Sequence, residues 1–313
     1  MLTELIHEIK TYRGLTRKKD IAFMHPLQKT LQYGTELFNY GDDAAVISWK
    51  DEYLLLAADG IWSHLTSDPF WAGYCAVLVN VNDVYAMGGE PIAMVNVLSM
   101  KRKDAHLMLK GLQTGCEKFR VPMVGGHIHP DSSTSVAVTI LGKAHSLLTS
   151  FNAAPGETLL LALDMKGSQY KTFMNWDSTS FASSEDVLFK LSALPLISQK
   201  KLATACKDVS NPGILGSIAM LLETARVGAE LNIEKIPVPP NIALSAFLKM
   251  YPGYGFILTV REDAVGKVTD IFAERNITCS TLGEITEERK MTLTYKKEKE
   301  VLFDFESEIV CGL

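Results

Sequence analysis

Leu2, Leu5, Ile6 and Ile9 in LTELIHEIK fall three and four residues apart, the spacing of a helix with one apolar face. A basic, glycine-containing segment, RGLTRKKD, follows within the first 20 residues and reads as an arm. Short apolar runs bounded by Gly, Pro or Asp then predict strands at residues 44–48, 53–58, 92–98, 123–124 and 136–141. Between them, GYCAVLVNVNDVYAMGGEP (73–91) is apolar almost throughout and reads as a core helix stopped by Gly88, Gly89 and Pro91. A second helix starts at Asp104, with Leu107, Met108, Leu112, Cys116 and Phe119 along one face.

The Pro-Gly turn in AAPGE (153–157) marks a boundary and divides the chain into residues 1–150 and 151–313. Beyond it the pattern predicts a strand in TLLLALDM, helices at about 184–194, 196–207, 214–227 and 240–250, and a helix between Asp263 and Arg275. Strands recur at 256–260, 278–285 and 291–295. Both halves are therefore mixed α/β layers.

The totals narrow the class. A chain of 313 residues with 47% hydrophobic and 21% charged residues has material for two cores. A formal net charge of −5 argues against nucleic acid as the partner. Five scattered cysteines without a CxxC pair point to reduced thiols, and the start of the chain lacks an apolar signal core. No apolar run approaches the roughly 20 residues that span a bilayer. The expectation is a soluble, cytoplasmic protein with no membrane partner.

Carboxylates interrupt the apolar pattern where elements end. Asp42 and Asp43 lie in GDDAAVI before a strand, Asp59 in AADG after one, Asp83 inside the core helix, and Asp208 in KDVSNPG before a helix. Carboxylates that converge without matching arginines call for a hard cation, and Mg²⁺ with nucleotide phosphates fits such a set. Each one singly has a bland reading as a turn or cap residue. In VGGHIHPD (124–131), Gly125 and Gly126 allow close backbone approach, which suits a phosphate or ribose contact; a structural turn is the competing reading. His127 and His129 pair as H-x-H, but no further His or Cys cluster completes a zinc site. GxxxxGK[ST], GxGxxG and GxSxG are all absent.

The ordered motifs GDDAAVI, AADG, NVNDVYAMGGEP, VGGH and DVSNPGILGSIAMLLE resemble the AIR synthase superfamily, nearest in pattern to thiamine-monophosphate kinase. The resemblance runs over most of the chain and includes GYGFILTV and LGEIT near its end. It implies a two-domain PurM-like α/β fold whose N-terminal domain dimerises into a β-barrel, with Mg²⁺ and ATP in the interdomain cleft. On matching positions it implies Asp43, Asp59, Asp83 and Asp208 as metal ligands, the last three also as catalytic groups. Gly125, Gly126, His127, Ser210 and Asn211 become nucleotide contacts, and His64 falls on the substrate side. Lys18 and Lys19 on the basic arm are candidates to close over phosphates, with a solvated surface segment as the competing reading. Departures are equally plain: GGD becomes GGH at His127, DxSDG becomes DVSNPG at Asn211, the polar pair before Asp59 becomes Ala57 and Ala58, and an expected arginine is replaced by Ser150 or a neighbour. The GEDYEL-type substrate motif becomes PGYGFIL, no N-terminal cysteine is present, and Cys311 is followed by Gly312 and Leu313. The expected activity is ATP-dependent phosphotransfer to a small molecule. An amide-activating ligase or cyclo-ligase, and an ATP-binding protein with a degenerate site, remain the alternatives, with a zinc hydrolase further off.

Overall fold

The computed structural model describes residues 1–33, 41–102, 104–130, 133–251 and 253–312. Asp131, Pro252 and Leu313, which belong to motifs quoted above, lie outside the described residues. The chain opens with α1 (Leu2–Thr11), α2 (Arg13–Thr16), a 3-10 stretch (Arg17–Met24) and α3 (His25–Gln28). A first sheet follows from β1 (Ala45–Trp49), β2 (Glu52–Gly60), β3 (Glu90–Met100), β4 (Met123–Pro130) and β5 (Ser135–Ala144). Its order is β1-β2-β5-β3-β4, antiparallel except for the β3–β4 pair, and it is open at both edges. Two helices, α4 (Pro69–Ala86) and α5 (Ala105–Phe119), pack together, and α4 covers one face of the sheet.

The second sheet has seven strands in the order β14-β13-β10-β12-β6-β11-β9. They are β6 (Thr158–Leu163), β9 (Ala205–Asp208), β10 (Gly228–Asn232), β11 (Gly255–Val260), β12 (Thr278–Thr286), β13 (Lys290–Tyr295) and β14 (Glu298–Asp304), with a small ribbon of β7 (Ser168–Gln169) and β8 (Trp176–Asp177). Leu160, Ala162, Cys206 and Phe256 share a core with α4, α6 (Ser184–Leu191), α7 (Ala193–Gln199) and α10 (Glu262–Ala273). Leu159, Leu161 and Ile257 pack instead with α8 (Gly213–Ala225) and with Leu2, Leu5, Ile6 and Ile9. Helix α1 thus rests on the second sheet, although the first sheet ends at Ala144 and the second begins at Thr158. Among the described residues no helix is long and apolar enough to cross a membrane.

Helix α4 explains much of this layout. The side chain of Asp68 accepts from Trp71 N at 3.1 Å as N-cap, Pro69 takes the first position, and Gly88 ends the helix with φ +77°. Fifteen of its eighteen residues are buried, because the first sheet, α5 and β9 surround it. The helix pair approaches through glycines. A Cβ on Gly111 would lie 2.0 Å from Phe70 O, and one on Gly73 would lie 2.3 Å from Met108 O.

Several expectations fail for identifiable reasons. The helix expected at 196–207 ends at Gln199, where Lys201 turns the chain with φ +52°, and residues 205–208 form β9 against β11. The helix at 240–250 shrinks to α9 (Leu244–Phe247) behind Pro237, Pro239 and Pro240. Strands β10 and β14 lacked a clear pattern because each ends in charged or polar residues. The GGH run is no turn: Gly125, Gly126 and His127 lie within edge strand β4, and Gly126 (φ +153°) is needed because a Cβ there would lie 2.4 Å from Asn96 O.

The glycine crossing predicts that Gly111→Ala, a one-methyl change, destabilises the fold by about 1–3 kcal/mol or more. Urea unfolding of the purified variant measures it, and an unchanged midpoint would contradict the close α4–α5 packing.

Candidate functional site

Three elements and one loop bring carboxylates together. Asp43 precedes β1, Asp83 projects from α4 and Asp208 ends β9; one oxygen from each lies within 4.8 Å of the others. Asp59, at the end of β2, joins them in lining a cavity of about 440 Å³. That volume falls within the range of small-molecule and cofactor sites. Lys18, Lys207 and Ser210 line the same cavity, and Ala44, Val46, Leu56 and Met220 give it an apolar wall.

The polar residues of α4 hold this arrangement. Asn80 accepts from Asp59 N at 3.2 Å and donates to Ala76 O at 2.8 Å, tying the end of β2 to the helix. Asn82 donates to Gly253 O at 2.8 Å, tying the helix to the loop before β11. Asp83, the next residue along the helix, joins the cluster. Asn82 Oδ1 is buried without a hydrogen-bond partner among the described residues.

Asp42 plays a separate part. Both its oxygens accept from Ser150, from the hydroxyl at 2.7 Å and from the backbone N–H at 2.8 Å, which fastens the connection between the two sheets. Ser150, at or next to the position where the family resemblance implied an arginine, is therefore a structural partner of Asp42.

Electrostatics show strain among the remaining acids. Burial, and after it the Asp208, Asp59 and Asp43 carboxylates, raise the Asp83 carboxyl well above the usual range. Burial and Asp43 push Asp208 up to about 8, against the pull of Lys207. Asp42 is pushed up to about 6 by burial and by Asp43, while Lys207 and Ser150 oppose the shift. Lys207 is ion-paired with Asp43, and Asp208 N donates to Asp43 Oδ2 at 3.2 Å. Burial works against the Lys207 charge, but Asp43, Asp208 and Asp42 outweigh it and raise its pKa. Lys207 is a site residue that sequence reasoning missed. It stands beside Asp208 in KDVSNPG, at the end of the helix expected over 196–207, so the sequence pattern gave no sign of its burial.

A smaller pocket adjoins the cavity, sharing Lys18, Asp59 and Ser210, and is closed by Arg17, Trp62, Asn211 and Tyr251. Gly14 lets the N-terminal arm press on this loop, since a Cβ there would lie 2.5 Å from Asn211 O. The guanidinium groups of Arg13 and Arg17 sit 5.7 and 5.2 Å from the Trp62 ring centroid. Asn211 donates to the Tyr251 hydroxyl, and its own Oδ1 is buried without a hydrogen-bond partner among the described residues.

The other sequence candidates stand apart. Gly125, Gly126 and His127 are exposed on β4 and do not line the cavity, and the His127 and His129 rings are 5.6 Å apart. Lys19 is exposed outside it. His64 is also exposed, with its ring 5.3 Å from Phe173 and edge-on to it.

With this geometry in view, the comparisons with known proteins are specific. The model of the AIR synthase related protein N-terminal domain matches residues 41–144, and that of the C-terminal domain matches residues 181–296. A protein of Methanocaldococcus jannaschii described as uncharacterized is 43% identical over 99% of this chain and 99% of its own length. The selenide, water dikinase of Carboxydothermus hydrogenoformans is 24% identical over 69% of this chain and 65% of that protein. Among solved structures, ThiL of Aquifex aeolicus complexed with AMPPCP and TMP aligns with a TM-score of 0.68 at 20% identity. It covers 92% of this chain and 97% of that one, and shows a shared two-domain fold. From two domain matches in order and a full-length relative, the chain belongs to the AIR synthase related family.

Proposed function

We propose that this chain is a Mg²⁺- and ATP-dependent enzyme that transfers a phosphoryl group to a small-molecule acceptor. The observation that carries the reading is the convergence of Asp43, Asp83 and Asp208 on the wall of a cavity of nucleotide size. Their hard carboxylate oxygens fit Mg²⁺ rather than a thiophilic or imidazole-seeking metal. When bound, the ion would offset the charge of nucleotide phosphates. Relatives named for kinase chemistry, and a structural neighbour holding an ATP analogue, support the same class.

The chain's own residues then divide the work. Asp43, Asp83 and Asp208 hold the ion, while Asp59 and Lys18 border the phosphates. The apolar wall of Ala44, Val46, Leu56 and Met220 takes the base. The adjoining pocket of Arg17, Trp62, Asn211 and Tyr251 receives the acceptor, and the unpartnered Asn211 Oδ1 accepts from it. A second reading, nucleotide binding without turnover, is favoured by one observation: an ammonium group already engages Asp43.

The outer face of the first sheet supports a homodimer. Val95 and Val97 are exposed there, with Val97 51% accessible, although β-strands that face water usually carry polar residues. In this reading Gly125, Gly126 and His127 reach a nucleotide only from a second chain.

Two outcomes follow. With ATP at about 100 times its Kd, Mg²⁺ should raise the melting temperature by on the order of 5 °C. Asp83→Asn should weaken this Mg²⁺-dependent binding by about tenfold or more while the fold persists. Stabilisation without ATP turnover across an acceptor panel would select the second reading, and no Mg²⁺ effect would remove the metal assignment and the first reading. Independently, light scattering should give twice the chain mass for the native protein and the single-chain mass for Val97→Glu. A native monomer would remove the dimer.

A further inference from the structure

Lys207 is the residue that a cation site would be expected to exclude. Yet it is 6% exposed at the end of β9, lines the cavity and is ion-paired with Asp43 Oδ1. No other Lys or Arg among the described residues forms an ion pair with Asp43, Asp83 or Asp208.

The charges on this wall can be counted. Asp42 is engaged on both oxygens by Ser150 and lies outside the group of three. Asp59 and Lys18, which line the same cavity, offset each other as one carboxylate and one ammonium. The remaining three carboxylates against the Lys207 ammonium leave two negative charges, the charge of one divalent ion. Charge held away from water must be matched locally, so a wall balanced by one ion offers no net attraction to a second, whereas a residual negative charge does. If Lys207 were neutral, three negative charges would face the cavity, and a single divalent ion would leave one unmatched. The Lys207 ammonium also occupies Asp43 Oδ1, while Asp43 Oδ2 accepts from Asp208 N. Neither oxygen of Asp43 is therefore free on all sides to bridge a second ion.

We propose that Lys207 is a built-in monovalent cation that limits the Asp43–Asp83–Asp208 site to a single divalent ion. The inference rests on the metal reading above and concerns the number of ions bound, not whether nucleotide is consumed. Lys207 acts through Asp43 and is in this sense a positioning residue.

Titration of the nucleotide-free full chain with Mn²⁺ alone, with unbound Mn²⁺ read by electron paramagnetic resonance, tests it. The native protein and Lys207→Arg should each bind one ion per chain. Lys207→Met should bind two, as should the smaller Lys207→Ala if the methionine variant fails to fold. Two or more ions on the native protein would overturn the role of Lys207, as would one ion on a folded neutral variant, and either result would leave the metal reading standing. No ion on the native protein would overturn the metal reading itself.

Discussion

Carboxylates placed side by side away from water repel one another and lose hydration at the same time, and this cost shapes the centre of the molecule. Asp43, Asp83 and Asp208 come from three separate parts of the chain, so the fold brings them together against that repulsion. The structure offsets part of it with a single ammonium, Lys207, and with a backbone N–H from Asp208. The raised pKa values of Asp83 and Asp208 show that the offset is incomplete. This shortfall of positive charge is the feature on which the proposed cation site rests.

Helix α4 is the part that can bear this load. It is held on all sides by apolar packing, with Trp71 stacked on Tyr170 at 3.9 Å and Gly73 and Gly111 allowing α5 to close in. Its three polar residues each act on a different neighbour. Asn80 fixes the end of β2, Asn82 fixes the loop before β11, and Asp83 supplies the cluster. The same helix therefore carries both the core and the registration of the site across the two sheets.

Much of the candidate site was legible in the chain because its residues break a strong pattern. Asp83 interrupts an apolar helix, and Asp43, Asp59 and Asp208 sit where apolar strands begin or end. Lys207 was overlooked because the pattern placed it at the end of a helix, and only pairing of β9 with β11 buries it. The GGH run was misplaced because glycine pairs signal turns, whereas here Gly126 makes room for Asn96 between parallel strands. Helices α5, α7 and α8 end near Arg120, Lys201 and Arg226, all in the left-handed region that glycine normally marks. Such stops carry no sequence signature.

The sequence by itself determined the alternation of apolar runs and breaks, the order of acidic motifs and hence the family, because those depend on local periodicity and on residue identity. Tertiary structure alone decided which acids meet, that Asp42 serves Ser150 instead, that Lys207 sits among them, and that Gly125, Gly126 and His127 stand outside the cavity of their own chain. Convergence depends on strand order and on helix-to-sheet packing between residues as much as 171 positions apart. No local pattern encodes distances of that kind.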